Sequence, residues 1–166
     1  RPRTPAAVLR GPDRGRGSVL GARLGTPETR AVRQRIGMIG HEPALIPELT
    51  LTENLVHMAR LSGSDTDRTG HALEVVGLAA AADRPVRVAS RGMQRRVEIA
   101  NLLTRRPELL LLDEAASGLD ADATGLVEAL TTRVTSAGGA VVTVSHDPDH
   151  LTGATRVVTI SGGRLS

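Results

Sequence analysis

Four consecutive leucines at residues 109–112 run directly into two acids, Asp113 and Glu114. A strand with one solvated face alternates apolar and polar residues. A run without alternation suits a strand covered on both faces, the situation inside a parallel sheet. Residues 140–144, AVVTV, repeat the pattern and end on Ser145-His146. Between the two runs, a helical stretch over about 121–136 closes at Gly138-Gly139. The second half therefore alternates strand and helix, which predicts an α/β fold: a parallel sheet with helices on both faces.

The remaining chain fits around this unit. Residues 36–39 read as a short buried strand ending in the loop Gly40-His41-Glu42-Pro43, and one further strand candidate covers 18–24. From residue 50 the period becomes helical, with Leu51, Leu55, Met58 and Leu61 in phase and Thr52 as the expected N-cap. A second helix is predicted over 68–76, ending at Gly77. Ser90 is expected to cap a helix running to about Arg105. In it Met93, Val97 and Ala100 share one face, while Arg95, Arg96 and Glu98 lie mostly elsewhere. A last strand is expected over 156–160, before the turn Ser161-Gly162-Gly163.

Composition narrows the function classes. The 166 residues contain no Phe, Tyr, Trp or Cys, so the core must be aliphatic and neither a disulfide nor a thiolate site is available. All 21 basic residues are Arg, and the net charge is +3. The first 35 residues hold nine Arg against Asp13 and Glu28. With no aromatic side chain for base stacking, this segment reads as a solvated basic surface, and no nucleic-acid partner is expected. No apolar run approaches the ~20 residues needed to span a bilayer. The start lacks both an initiator Met and a signal-peptide apolar core, which suggests a processed terminus or a piece of a longer protein.

Four clusters carry chemistry. Asp113 is suited to hold Mg²⁺ and Glu114 to act as a general base, although a strand ending in a solvent-facing acidic turn has the same sequence. In ASRGMQRRVEIA, residues 89–100, the helix tip at Ser90 and Gly92 offers unpaired N–H groups to an anion; an ordinary N-cap is the plainer reading. In SGLDADA, residues 117–123, Asp120 can cap the next helix. In VVTVSHD, residues 141–147, His146 leaves a strand at the same sheet edge as Glu114 and can donate to a phosphate, unless it is simply a turn histidine. The stretch GPDRGRGS, residues 11–18, looks like a phosphate-cradling loop, but no register of G-x-x-x-x-G-K-[ST] fits it and the chain has no Lys anywhere.

Taken in order, these clusters resemble the signature, Walker B, D-loop and switch-histidine motifs of the ATP-binding domain of ABC transporters. Ser90 precedes Asp113 by 23 residues, as when a signature helix leads back into the Walker B strand. IGMIGHEPALIPELTLTENL, residues 36–55, resembles the family's Q-loop and the entry to its helical subdomain. The ASRGM signature and the HEPA loop are similar to bacterial export and haem-exporter-like subunits. GPDRGRGS then falls downstream of the phosphate-binding loop, which would end about 20–30 residues before Arg1.

The resemblance implies a P-loop NTPase-like fold, lacking its N-terminal part, in one domain with three regions: 1–49 as partial N-terminal lobe and Q-loop, 50–88 as helical subdomain, and 89–166 as the remaining α/β part. It implies ATP and Mg²⁺ as cofactors, Asp113 as metal ligand, Glu114 and His146 as catalytic residues, and Ser90, Arg91, Gly92, His41 and Asp120 as nucleotide-binding residues. His41 stands where the family has Gln, and Arg91 and Met93 depart from LSGGQ. The implied partners are a second ATP-binding subunit, head to tail, and a transmembrane permease docking on 50–88. The implied location is the cytoplasmic face of the cell membrane, and the implied activity is ATP hydrolysis coupled to export, with the chain inactive alone for want of the Walker A Lys. The other class of function is a non-catalytic module that lends its signature helix to a partner's ATP.

Overall fold

The computed structural model describes residues 15–115, 121–162 and 164–165. Its centre is a three-stranded parallel sheet, β3 (Ile36–Ile39), β4 (Leu109–Asp113) and β5 (Ala140–Val144), in that spatial order. The register aligns Met38 with Leu111 and Val142, and Asp113 with Val144. The leucine run forms the middle strand as expected, but not one buried on both faces: Leu110 and Leu112 are buried, while Leu109 and Leu111 are only partly so. Ahead of the sheet, residues 18–24 form not one strand but a hairpin of β1 (Ser18–Val19) and β2 (Ala22–Arg23). Leu20 and Gly21 both take positive φ, the backbone of a two-residue hairpin turn. A short helix α1 (Glu28–Val32) leads into β3.

Helix α2 (Leu51–Ser62) is capped two residues earlier than expected, by Thr50 rather than Thr52. Thr50 Oγ1 accepts the Glu53 N–H at 3.1 Å, and Glu53 accepts the Thr50 N–H at 2.8 Å. This is the reciprocal capping box of T-x-x-E. Hydrogen bonds from the Thr50 backbone and side chain hold the Glu53 carboxyl below its ordinary range. The cap's pH-linked contribution is therefore present above the usual Glu value and is lost as pH falls through the lowered one. Thr50→Ala is expected to cost about 1 kcal/mol in urea unfolding at neutral pH. An unchanged midpoint would contradict the cap.

Helices α3 (Thr69–Val75) and α4 (Arg91–Thr104) follow, then β4, α5 (Ala121–Ser136) and β5. One continuous aliphatic core joins Leu51, Leu55 and Leu73 on the helical side to Val97, Ile99, Leu110 and Leu130. Helix α4 is central to it, packed by α2, α3 and α5, and so has no single solvent face. Arg95 and Glu98, which lie off the Met93–Val97–Ala100 face, are therefore both buried as well.

Helices α4 and α5 cover the sheet face that carries Gly37, Ile39, Leu110 and Leu112. A Cβ on Gly37 would lie 2.8 Å from Leu102 Cδ2, so α4 sits directly on β3. The opposite face is open among the described residues. Met38, Val142 and Val144 are 38%, 51% and 49% exposed. The expected buried strand at 140–144 is instead an exposed edge strand. The expected strand at 156–160 is extended only at its end, where β6 (Ile160–Ser161) pairs with β7 (Arg164–Leu165). Val157, Val158 and Ile160 are exposed there.

Candidate functional site

Parallel strands deliver their C-terminal ends to one edge of the sheet, where α/β proteins place ligands. His41 follows β3, Asp113 ends β4 and Glu114 follows it, and His146 follows β5. The topology therefore brings four of the sequence-selected residues to a single rim.

Two of them meet. The Glu114 N–H donates to the Val144 carbonyl at 2.9 Å, which extends the β4–β5 pairing by one residue. Glu114 then takes φ +51°, a left-handed conformation that costs a non-glycine residue roughly 1–2 kcal/mol. This turns the carboxylate across the end of β5. Its Oε1 accepts the His146 backbone N–H at 2.9 Å and lies 3.7 Å from His146 Nε2. The Glu114 side chain is 20% exposed and the His146 imidazole 98%, so a sheltered carboxylate sits under an open ring. Neighbouring turns fix the loop. Ser145 Oγ lies 3.2 Å from His150 Nδ1 and accepts the Asp147 N–H at 3.1 Å; Asp147 caps the short turn Pro148–Leu151 through the Asp149 N–H at 3.0 Å.

Asp113 is half-buried beside Glu114. Among the described residues no three His, Asp or Glu gather into a metal cage. A pair of hard carboxylates at a strand end fits Mg²⁺ in its usual mode, in which one or two protein oxygens are completed by water and phosphate oxygens.

Ser90 is the N-cap of α4 as expected, its Oγ accepting the Met93 N–H at 3.2 Å. Ser90 and Arg91 are exposed, and a Cβ built on Gly92 would meet only Ser90 Oγ, at 3.9 Å. This helix tip is an open surface. Gln94 holds the approach to it, donating to the Val86 and Ala89 carbonyls at 3.1 Å each. Asp120 lies outside the described residues, as does most of SGLDADA.

Sequence reasoning missed Arg95 and Glu98. They pair at 2.7 Å inside the protein. Arg95 Nη1 and Nη2 donate to the Gly40 and His41 carbonyls at 2.8 and 3.1 Å, and Glu98 Oε1 accepts the Ala44 N–H at 3.0 Å. Burial pushes the Glu98 carboxyl above its ordinary range, opposed by the Ala44 N–H and by Arg95. The i,i+3 spacing of opposite charges was a legible signal; what it hid was the third element they both grip.

Residues 7–117 match the family described as ABC transporter. The cytochrome c biogenesis ATP-binding export protein CcmA of Rhodospirillum rubrum is 38% identical over 121 residues, covering 73% of this chain and 52% of that protein. The phosphonates import ATP-binding protein PhnC of Bordetella parapertussis is 36% identical over 163 residues, covering 90% and 64%. The chain thus spans between about half and two thirds of these curated relatives' lengths, and their names include both export and import. Among solved structures, a dimeric ATP-binding cassette in a post-hydrolysis state bound to ADP and Pi superposes with a TM-score of 0.73 at 26% identity, covering 86% of this chain and 67% of that one. With its parallel sheet, strand-end acids and matched residues, the chain belongs to the ABC transporter family and carries part of that family's ATP-binding domain.

Proposed function

We propose that this chain supplies the hydrolytic half of an ABC transporter ATPase site, coupling MgATP hydrolysis to transport through a membrane partner. The observation that carries this reading is the convergence of Asp113, Glu114 and His146 at one sheet edge, with Glu114 held in a left-handed backbone that a glycine would adopt without strain. Strain kept at a carboxylate is a mark of function. Glu114 accepts a proton from the attacking water as general base. His146, open to solvent above it, donates to the terminal phosphate. Asp113 would hold Mg²⁺, which supplies charge neutralisation to the phosphates when bound. His41 faces the nucleotide from the end of β3. Ser90, Arg91 and Gly92 present a helix N-terminus to ATP held by a second subunit in a head-to-tail pair, and Asp120 crosses the seam between the two.

The phosphate grip comes from outside these 166 residues, which contain no Lys. Two features of the described residues support a strand–loop–helix unit as its carrier: the outer edge of β5, unpaired among them, and the apolar row of Met38, Leu111 and Val142, left uncovered by them. Parallel sheets are ordinarily covered on both faces. The helical segment 50–88 is the docking region for the membrane partner, supported by exposed Leu61, Val75 and Val88. Export is the direction favoured by the ASRGM and HEPA segments. The lack of Lys equally favours a second reading, in which the chain is a non-catalytic module that lends its helix tip to a partner's ATP.

The test mixes the chain with an intact ABC ATP-binding subunit that carries G-x-x-x-x-G-K-[ST] and measures phosphate release. A rise in rate with the wild-type chain and none with Glu114→Gln supports the catalytic reading. An equal rise with both supports the lending module, and no rise contradicts both.

A further inference from the structure

The buried Arg95–Glu98 pair joins two parts of the proposed nucleotide site that the sequence keeps more than forty residues apart. Arg95 reaches two successive carbonyls, Gly40 and His41, with two nitrogens of one guanidinium. Glu98 holds Arg95 with one oxygen and the Ala44 N–H with the other. The turn after β3 is therefore gripped at both ends by one face of α4, one to two turns beyond the Ser90 cap. The clamp takes only backbone atoms of His41 and leaves its side chain exposed. A buried ion pair is a poor source of stability compared with apolar packing of equal volume, whereas a forked guanidinium fixes geometry well. These atoms are arranged for placement.

We propose that Arg95 and Glu98 are positioning residues, a buried charged clamp that locks the 40–44 turn, and His41 with it, to the helix capped by Ser90. The clamp rests on the proposed function for its purpose, because it makes the His41 turn and the helix tip move as one body when nucleotide is bound or released. The mechanical linkage itself is independent of that purpose.

Hydrogen–deuterium exchange on the full chain tests the linkage. The informative variant is Arg95→Met with Glu98→Leu, which removes both charges while keeping apolar volume, so that the core remains filled. Expected is exchange about tenfold or more faster at Ala44, confined to 40–44, with α2 and α4 protected as in the wild type. Glu98→Gln keeps an acceptor for the Ala44 N–H and is expected to restore slow exchange there. Unchanged exchange at 40–44 in the folded double variant overturns the proposal. So does acceleration spread evenly over α2, α4 and the turn, which would mark general loosening.

The role toward His41 is read in the complex that turns over MgATP. Clamp removal is expected to raise the KM for MgATP several-fold with His41 present and to leave it unchanged in a His41→Ala background. An equal effect in both backgrounds overturns action through His41. Absence of any turnover by the wild type would instead contradict the proposed function, and the exchange measurement would still decide the linkage.

Discussion

Glu114→Gln is expected to lower MgATP turnover of the assembled ATPase by about 10²–10⁴-fold, the range a positioned general base supplies. The change is chosen because it spares everything else the side chain does. A Gln oxygen still accepts the His146 N–H that Glu114 Oε1 now accepts at 2.9 Å. The backbone bond to Val144 and the left-handed turn remain available. The KM for MgATP should therefore stay near the wild-type value while kcat falls, the signature of an interaction used in the transition state. A fall confined to KM, or a kcat within a few-fold of wild type, would remove Glu114 from the chemistry.

Arg95→Ala alone is expected to destabilise the chain by about 3–5 kcal/mol, because it leaves the Glu98 carboxylate buried without its partner. Two backbone carbonyls, of Gly40 and His41, lose their donor at the same time. For an aliphatic core without a single aromatic ring this is a large fraction of the total. The Arg95→Met, Glu98→Leu double variant is expected to lose clearly less than the sum of its singles, since it removes both charges together and keeps apolar volume. The non-additivity is measured by urea unfolding of Arg95→Met, Glu98→Leu and the double. Additive losses would show that the pair is not coupled. Acid adds a sign. Burial raises the Glu98 pKa in the folded state. Its pH-linked contribution is thus fully present below the ordinary Glu value and lost as pH rises through the raised one. Relative to Glu98→Gln, wild-type stability should fall across that window; the opposite slope would contradict a buried carboxylate.

The sequence was legible where local chemistry and packing agree. Leu109–Asp113 is the middle strand of the sheet, as its apolar run suggests, although only the face with Leu110 and Leu112 is covered among the described residues. Ser90 caps α4, and Ala121–Ser136 is a helix, as their patterns require. The start of α2 was legible too, since Thr50 and Glu53 form a capping box and Thr52 does not; the hydroxyl of Thr52 donates to the Ala82 carbonyl instead. Other features depended on neighbours that periodicity does not see. Arg95 and Glu98 are buried because α4 is enclosed by three helices and the sheet, which the periodicity of α4 alone does not reveal. Val142 and Val144 read as buried from composition, yet what would cover them is not among the described residues. For the site, the rim of His41, Asp113, Glu114 and His146 followed from motif order. The left-handed Glu114 did not, because glycine is the residue that ordinarily announces such a turn.

The most direct measurement is equilibrium dialysis of labelled MgATP against the 166-residue chain, alone and with an added strand–loop–helix segment bearing G-x-x-x-x-G-K-[ST]. Expected is no saturable binding by the chain alone, and saturable binding once the Lys-bearing segment is present, weakened when His146 is replaced by Ala. Tight binding of MgATP by the unaided chain would contradict a site whose acids and imidazole wait for a phosphate grip supplied from elsewhere.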